Sequence, residues 1–105
     1  MRMIRSSAKA LIIKEGKMAA IKIRDAEEEW YIMPGGGQDA EETLKEAVCR
    51  EVSEELGIAV ACKDLLFVVE GVHGEAFHRV DLIFLVNILG TCRMLFFMGI
   101  RIRSE

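Results

Sequence analysis

One stretch of this sequence constrains the fold more than any other: three consecutive glycines, Gly35–Gly37, come just before a dense run of acidic and apolar residues. We predict one helix there, over Asp39–Leu56. Asp39 is a good N-cap, and Glu42 three residues later completes the pattern of a capping box. Gly57, directly after the segment, is suited to the left-handed conformation of a C-terminal cap.

Apolar, strand-compatible runs surround this helix. The first two, Ala8–Ile13 and Met18–Arg24, are separated by residues 14–17, which we interpret as a hairpin turn because Gly16 can take a positive φ. Further strands are predicted at Trp30–Met33, Ile58–Cys62, Leu65–Val72 and Phe77–Leu89. Hairpins outnumber crossover helices in this order, so the predicted fold class is α/β (α+β) with mostly antiparallel pairing.

Three glutamates of the predicted helix fall on its inward side. Leu44, Ala47 and Val48 form one apolar stripe at about 100° per residue. The same stripe, continued in steps of three and four residues, reaches Glu51, Glu54 and Glu55. A solvated acidic face would lie opposite the stripe, and carboxylates this close repel one another. A hard divalent cation, Mg²⁺ or Mn²⁺, removes that conflict, so we predict a metal site here.

The glycines before the helix support a site for a phosphate or a metal. Backbone without Cβ atoms can approach such a ligand closely, and the N-terminus of a helix favours anions. Glycines before helices are often only turns, so this signal gains its weight from the carboxylates that follow.

Together these residues spell a family pattern. Gly36, five residues, Glu42, seven residues and then residues 50–58 (REVSEELGI) match the Nudix box, G-x5-E-x7-R-E-U-x-E-E-x-G-U with U a bulky aliphatic, at every defined position. Residues 30–35 (WYIMPG) also resemble the strand that leads into the box. The sequence is therefore similar to the Nudix hydrolases, and the box from Gly36 to Ile58 carries the specificity of that resemblance.

The resemblance implies a Nudix-type α/β/α sandwich around a mixed β-sheet, with the box as a loop–helix–loop. It also implies a divalent-metal-dependent hydrolase of a nucleoside diphosphate linked to another moiety, in which water attacks a phosphorus of the diphosphate bridge. Mg²⁺ or Mn²⁺ is the implied cofactor.

The site residues implied by the resemblance lie in and just before the box. The expected metal ligands are the carboxylates of Glu51, Glu54 and Glu55 and the backbone carbonyl of Gly35. Glu51 or Glu54 is expected to take a proton from the attacking water, and Arg50 is expected to orient the glutamates. Glu42 has two open interpretations: it braces Arg50, or it serves only in the capping box.

Residues outside the box give weaker predictions. The spacing of His73 and His78 could suit a metal, but we expect them at loop and edge positions. Glu70 or Glu75 could supply a base from outside the box. An aromatic ring could also stack on the nucleobase of a substrate, and the candidates are Trp30, Tyr31 and Phe77. Packing in the core is the simpler expectation for these three rings.

Length and composition exclude several classes of protein. The chain has 105 residues, enough for one domain, which we assign to residues 1–105. Its net charge of −3 argues against duplex nucleic acid as a partner. The three cysteines form no CxxC pair and no secretory signal is visible, so we expect reduced thiols and a cytoplasmic location. Residues 82–100 are apolar, but the central Arg93 disfavours a membrane helix, so no membrane partner is expected.

The C-terminal residues, about 87–105, depart from the family pattern. They contain no amphipathic helix, and Leu95–Met98 is uniformly apolar, so we expect the family's C-terminal helix to be missing. Uncovered apolar surface favours association, so we expect a homo-oligomer through this region. Alternatively, the tail pairs as a strand with its own sheet or with a second chain.

Three functions compete at this point. The first is the metal-dependent hydrolase, with a nucleotide-like pyrophosphate as its small-molecule substrate. The second is a Nudix fold that binds nucleotide or metal with weak or no turnover, because its C-terminal part is shortened. The third is an unrelated structural or interaction module, with the option that its tail tethers it to a membrane. The intact glutamates favour the first, and its substrate stays open among oxidised nucleoside triphosphates, ADP-ribose and nucleotide sugars.

Overall fold

The computed structural model describes residues 4–73, 77–90 and 100–104. Within these ranges one helix, α1, spans Leu44–Leu56. The strands before it are β1 (Ile4–Leu11), β2 (Ile13–Lys14), β3 (Lys17–Met18), β4 (Ala20–Arg24), β5 (Glu29–Ile32) and β6 (Gly35–Gly36). The strands after it are β7 (Val60–His73), β8 (Phe77–Ile88) and β9 (Ile100–Ser104).

A mixed four-stranded sheet with the order β6-β1-β8-β7 forms the centre of the fold. Strand β8 runs parallel to β1 and antiparallel to β7, and β6 runs antiparallel to β1. A three-stranded sheet has the order β5-β4-β9, with β9 parallel to β4. The predicted α+β class with a mixed sheet is therefore confirmed.

The hydrophobic core lies between α1 and the strands. Ala8 and Ala10 of β1 are fully buried, whereas Lys9 between them points to the opposite face, as the two-residue period of a strand requires. The helix covers the core face with one buried stripe, Ala47, Val48, Val52 and Leu56. The small alanines of β1 let α1 pack closely on the sheet, and that close packing brings the helix against β6 and its glycines.

The predicted hairpin turn between β2 and β3 is confirmed. Glu15 and Gly16 both have positive φ, 54° and 74°. Two successive residues with positive φ are the signature of the turn that matches the right-handed twist of paired strands.

The helix begins later than the sequence predicted. Its N-cap is Thr43 instead of Asp39, and Thr43 and Glu46 exchange the two bonds of a capping box. The physical reason is Glu41, whose φ of 66° breaks any helix that starts at Asp39. The predicted C-cap is confirmed, because Gly57 is left-handed with φ 70° and donates its N–H to the Ser53 carbonyl.

Replacing Thr43 by Ala should lower the free energy of unfolding by about 1 kcal/mol, because the N–H of Glu46 loses its acceptor at the start of the helix. Urea denaturation followed by circular dichroism measures this change. Ser53→Ala, at an exposed position of the same helix, is the control and should stay within about 0.5 kcal/mol of wild type. Equal effects of the two substitutions would contradict the cap.

The strands after the helix differ from prediction in one respect. The predicted strands Ile58–Cys62 and Leu65–Val72 merge into one strand, β7, which begins at Val60 and pairs with β8 through two register shifts between Cys62 and Phe67. Each register shift changes the alternation of side chains along the strand. The sequence pattern is therefore broken there, which is why two separate strands were predicted.

At the C-terminal end, Leu95–Met98 lies outside the described residues. Strand β9 pairs with β4 of its own chain, which confirms one of the two expected pairings of the tail. In the ranges that the structure covers, we find no helix that combines the length and the apolar character needed to cross a membrane.

Candidate active site

Arg50 of α1 is the centre of a cluster of carboxylates. Its Nε and Nη2 donate to the two carboxylate oxygens of Glu42, at 2.7 and 3.0 Å. Its Nη1 donates to Oε1 of Glu51 at 3.0 Å and to Oε1 of Glu54 at 3.2 Å. Nη2 also donates to the carbonyl oxygen of Gly37 at 3.0 Å. One guanidinium thus ties the glycine loop and Glu42 to two glutamates of the helix.

The ion pair of Arg50 and Glu42 favours the ionised form of both groups. Hydrogen bonds to Glu42, and then to Glu54 and Glu51, hold the pKa of Arg50 above its ordinary value. The Arg50 guanidinium, and after it the backbone N–H of Asp39, hold the pKa of Glu42 below its ordinary value. Glu42 therefore remains a carboxylate throughout the neutral range.

Glu42 proves to be a brace for Arg50. Its carboxylate also accepts the N–H of Asp39 at 2.9 Å, so the local bond that suggested a capping box exists, but it closes a turn ahead of the helix. Because its carboxylate binds both Arg50 and the N–H of Asp39, Glu42 fastens the segment between the glycines and α1.

The contribution of Glu42 to stability should depend on pH. A carboxylate whose pKa is lowered by folding stabilises the fold above its unfolded value, here about 4.5, and loses that contribution as the pH falls through the folded value. The melting temperature of Glu42→Gln should therefore lie well below that of wild type at pH 7 and approach it near pH 3, in differential scanning calorimetry. Glu28→Gln, an exposed carboxylate between β4 and β5, should show no such convergence. A difference in melting temperature between wild type and Glu42→Gln that stays constant with pH would contradict the ion pair of Glu42 and Arg50.

Glu55 is directed to the loop. Its Oε1 accepts the N–H of Gly35 at 2.8 Å. Gly35 lies opposite Lys9 in the antiparallel pair of β6 and β1, whereas the neighbouring pair is hydrogen-bonded, with the N–H of Ala10 donating to the Pro34 carbonyl. Since such pairs alternate, the N–H of Gly35 is outside the ladder and available to Glu55.

Two of the glycines are required by close approach. At Gly35 the φ is 139°, and an added Cβ would lie 2.1 Å from the carbonyl oxygen of Ala8. At Gly36 an added Cβ would lie 2.8 Å from the carboxylate carbon of Glu51. The absence of these two side chains is what allows α1 to place its glutamates on the loop.

The helical stripe predicted to carry the glutamates needs a correction. Glu51 is 20% exposed and Glu55 is half-buried, as an inward position requires, but the side chain of Glu54 is 58% exposed. The buried stripe turns through Val52 and Leu56, so Glu54 lies at its edge and reaches the cluster only through Arg50.

A cleft of about 220 Å³ lies on the other face of the four-stranded sheet. Polar residues at its wall are Lys9, Tyr31, Arg79 and Asp81, and Ile32, Met33 and Ile83 supply the apolar part. Lys9 is paired with Gly35 across β1 and β6, so the cleft begins one strand away from the glycine loop. Trp30 packs against the core as expected, whereas Tyr31 lies at the cleft.

Two of the residues predicted outside the box contact each other. Nε2 of His78, on β8, lies 2.5 Å from Oε2 of Glu70, an exposed residue on β7. Glu75 and the side chains of His73 and Phe77 lie outside the described part of the chain.

Comparison with known proteins agrees with this geometry. A model of the NUDIX domain matches residues 3–93. The chain belongs to the Nudix family. That family consists of pyrophosphohydrolases. The family match places this chain among those enzymes.

Three solved structures show the range of similarity. A MutT NUDIX hydrolase from Burkholderia pseudomallei is 29% identical, with a TM-score of 0.69 over 90% of this chain and 75% of that one. A MutT protein from Methanosarcina mazei Go1 is 26% identical, with a TM-score of 0.72 over 89% of this chain and 70% of that one. An ADP-ribose pyrophosphatase from Streptococcus suis is 21% identical, with a TM-score of 0.64 over 82% of this chain and 61% of that one, and supports the fold alone. A comparison with curated proteins found no match.

The Nudix glutamates suit a divalent cation in chemistry but are not grouped as a ligand set. Within residues 4–73, 77–90 and 100–104, no three His, Cys, Asp or Glu side chains are close enough together to hold a metal ion. Glu51 and Glu54 instead converge on one cationic atom, Nη1 of Arg50, while Glu55 turns to Gly35. The carboxylate oxygens of Glu51 and Glu54 are hard ligands of the kind that Mg²⁺ prefers, and Arg50 already brings them to one cationic atom.

Sequence reasoning missed three participants in this Nudix site. Thr43 and Glu46 form the true cap, and the spacing of Thr43 and Glu46 in the sequence is itself a capping-box pattern. The carbonyl of Gly37 binds Arg50 across 13 residues of sequence, and no local pattern signals a contact of that range. Glu46 lies one helical turn before Arg50, and its carboxylate accepts the N–H of Thr43.

Proposed function

We propose that this Nudix protein is a divalent-metal-dependent hydrolase of a nucleoside diphosphate linked to another moiety. The observation that carries the proposal is the position of Arg50, which holds Glu51 and Glu54 beside the backbone of the glycine loop. In this proposal water attacks a phosphorus of the diphosphate bridge, which is an acid anhydride. The protein acts in the reduced cytosol, where the free thiols of Cys49 and Cys62 are stable.

The residues that would hold Mg²⁺ or Mn²⁺ are Glu51, Glu54, Glu55 and the carbonyl of Gly35. When bound, the metal supplies positive charge to the phosphate oxygens and makes the attacking water more acidic. Glu51 or Glu54 accepts the proton of that water, since both carboxylates lie within reach of one point near Arg50.

The remaining residues position these groups. Arg50 fixes Glu51 and Glu54 through one nitrogen, and Glu42 fixes Arg50 through the other two. Glu55 holds the backbone of Gly35 in place through its N–H. We assign the cleft beside Lys9 to the substrate, because its wall carries two cations, Lys9 and Arg79, against one carboxylate, that of Asp81, which lies 3.4 Å from Arg79 Nε.

A second candidate is a Nudix fold that binds metal or nucleotide with little turnover. It is favoured by the same bonds: Arg50 occupies oxygens of Glu51 and Glu54 that a metal requires. The two candidates differ in turnover and agree in binding, so they can be separated.

The test is hydrolysis of a substrate panel in Mg²⁺ and in chelator. The panel contains ADP-ribose, a UDP-sugar and an oxidised nucleoside triphosphate, and the released phosphate or mononucleotide is quantified. We expect release from one class in Mg²⁺ and none in chelator. In parallel, Mg²⁺ should raise the melting temperature, because a ligand that binds only the folded protein stabilises it. At a concentration of a hundred times the Kd, the free energy of unfolding should rise by about 2.7 kcal/mol. Metal-dependent stabilisation without release of product would select the second candidate. If Mg²⁺ causes neither stabilisation nor release, both candidates are rejected.

A further inference from the structure

Strand β7 is an edge strand with an unusual length and composition. It has 14 residues and pairs with β8 on one side, and the sheet order places no other described strand on its second side. The backbone N–H and C=O groups of that side are a template for one more strand.

The middle of β7 is apolar and exposed on both faces. Leu65–Val69 is an uninterrupted apolar run, and its side chains are between 41% and 58% exposed. Successive side chains of a strand alternate between faces, so neither face of the sheet covers this run. The hydrophobic core reaches Val60 and Cys62 at the beginning of β7, and no residue of the run belongs to it.

Pairing at this edge would remove apolar surface from water on both faces of the sheet. With Val72, which is 58% exposed, the run presents apolar area on the order of 500 Å², divided between the two faces. A strand added at the edge gives these side chains cross-strand neighbours on their own face, so part of this area is buried in each copy.

We propose that β7 pairs antiparallel with β7 of a second copy of this chain, about a two-fold axis at Val68. A second copy fits because it offers an already ordered strand with the same exposed run and the same unpaired edge. The pairing is isologous, so it closes as a dimer and leaves no free β7 edge. The two four-stranded sheets then form one continuous sheet across the axis, with β7 of each copy at its centre.

The charges next to the run select the axis. Centring the pair on Phe67 would place Asp64 opposite Glu70 in both halves, and like charges directly opposite each other are destabilising. Centring it on Val68 places Glu70 opposite Leu66 and packs Phe67 against Val69. It also buries the three most exposed residues of the run, Phe67–Val69, against each other. An axis at Leu66 would fall within the register shifts of β7.

The first test is the mass of the full chain in solution. We expect a dimer in light scattering coupled to gel filtration, and a monomer for Val68→Lys, because a lysine on an edge strand blocks further pairing. Ile13→Lys is the matched control, since Ile13 is also 58% exposed but lies on β2; it should remain a dimer. A monomeric wild type, or a Val68→Lys variant that stays dimeric and folded by circular dichroism, would overturn the proposal.

The second test concerns the axis itself. Two Val68→Cys residues would face each other with Cα atoms about 4.5–5.5 Å apart, a separation that suits a disulfide. Oxidation should therefore cross-link Val68→Cys, and it should not cross-link Leu66→Cys, whose partner residue is Glu70. The wild type controls for the native cysteines. Cross-linking of Leu66→Cys but not of Val68→Cys would reject this axis. Both tests measure association, so their outcome is independent of hydrolysis.

Discussion

Replacing Glu54 by Gln is expected to lower kcat by a factor of about 10² to 10⁴ while the melting temperature stays close to that of wild type. The side chain is 58% exposed, and glutamine keeps an oxygen that can accept the bond from Arg50. The substitution therefore removes the negative charge and the proton-accepting ability with little effect on packing. Steady-state kinetics on the substrate found in the panel, together with calorimetry, measure both quantities.

The control for this substitution is Glu28→Gln, which removes an exposed carboxylate from the loop between β4 and β5. Its kcat should equal that of wild type. A Glu54→Gln enzyme that keeps more than about a tenth of the wild-type kcat would show that Glu54 neither accepts the proton nor binds an essential metal. Glu51→Gln then becomes the decisive variant, and because Glu51 is 20% exposed its stability must be measured beside its activity.

Gly35→Ala should have the largest effect on folding. A φ of 139° belongs to a region that residues with a Cβ rarely adopt, and such strain alone costs about 1–3 kcal/mol. The added Cβ would also lie 2.1 Å from the carbonyl oxygen of Ala8, and this atom is backbone of β1 that cannot turn away. Relief requires separating β6 from β1, so we expect a loss of stability that is a large fraction of the total for a small domain.

The other two glycines provide matched controls for Gly35→Ala. Nothing lies within 4 Å of a Cβ added at Gly37, so Gly37→Ala should change the free energy of unfolding by about 0.5 kcal/mol or less. A Cβ at Gly36 meets the flexible end of Glu51, so Gly36→Ala should displace that carboxylate and reduce activity more than stability. Denaturation in urea ranks the three variants, and equal stabilities of Gly35→Ala and Gly37→Ala would contradict the close approach of β6 to β1.

Local sequence determined much of this protein. The hairpin at Glu15 and Gly16, the end of α1 at Gly57 and the class of the fold all follow from patterns that span a few residues. The Nudix box placed Arg50 one turn from Glu54, and a helix makes that contact by its period alone. These features are predictable because their interactions are made between near neighbours in the chain.

Tertiary structure decided the rest. The parallel pairing of β1 with β8 joins Ile4 to His78, and the bond from Arg50 to the Gly37 carbonyl depends on how the loop folds back on the helix. The start of α1 was mispredicted because two capping patterns compete in the sequence, and only the positive φ of Glu41 in the folded loop selects Thr43. Likewise, the sequence predicted a strand at the apolar run of β7 but gave no sign that the run is exposed. The run is exposed because the core reaches only the beginning of β7. Burial depends on which distant element packs against a strand, and the strand's own pattern does not specify that element.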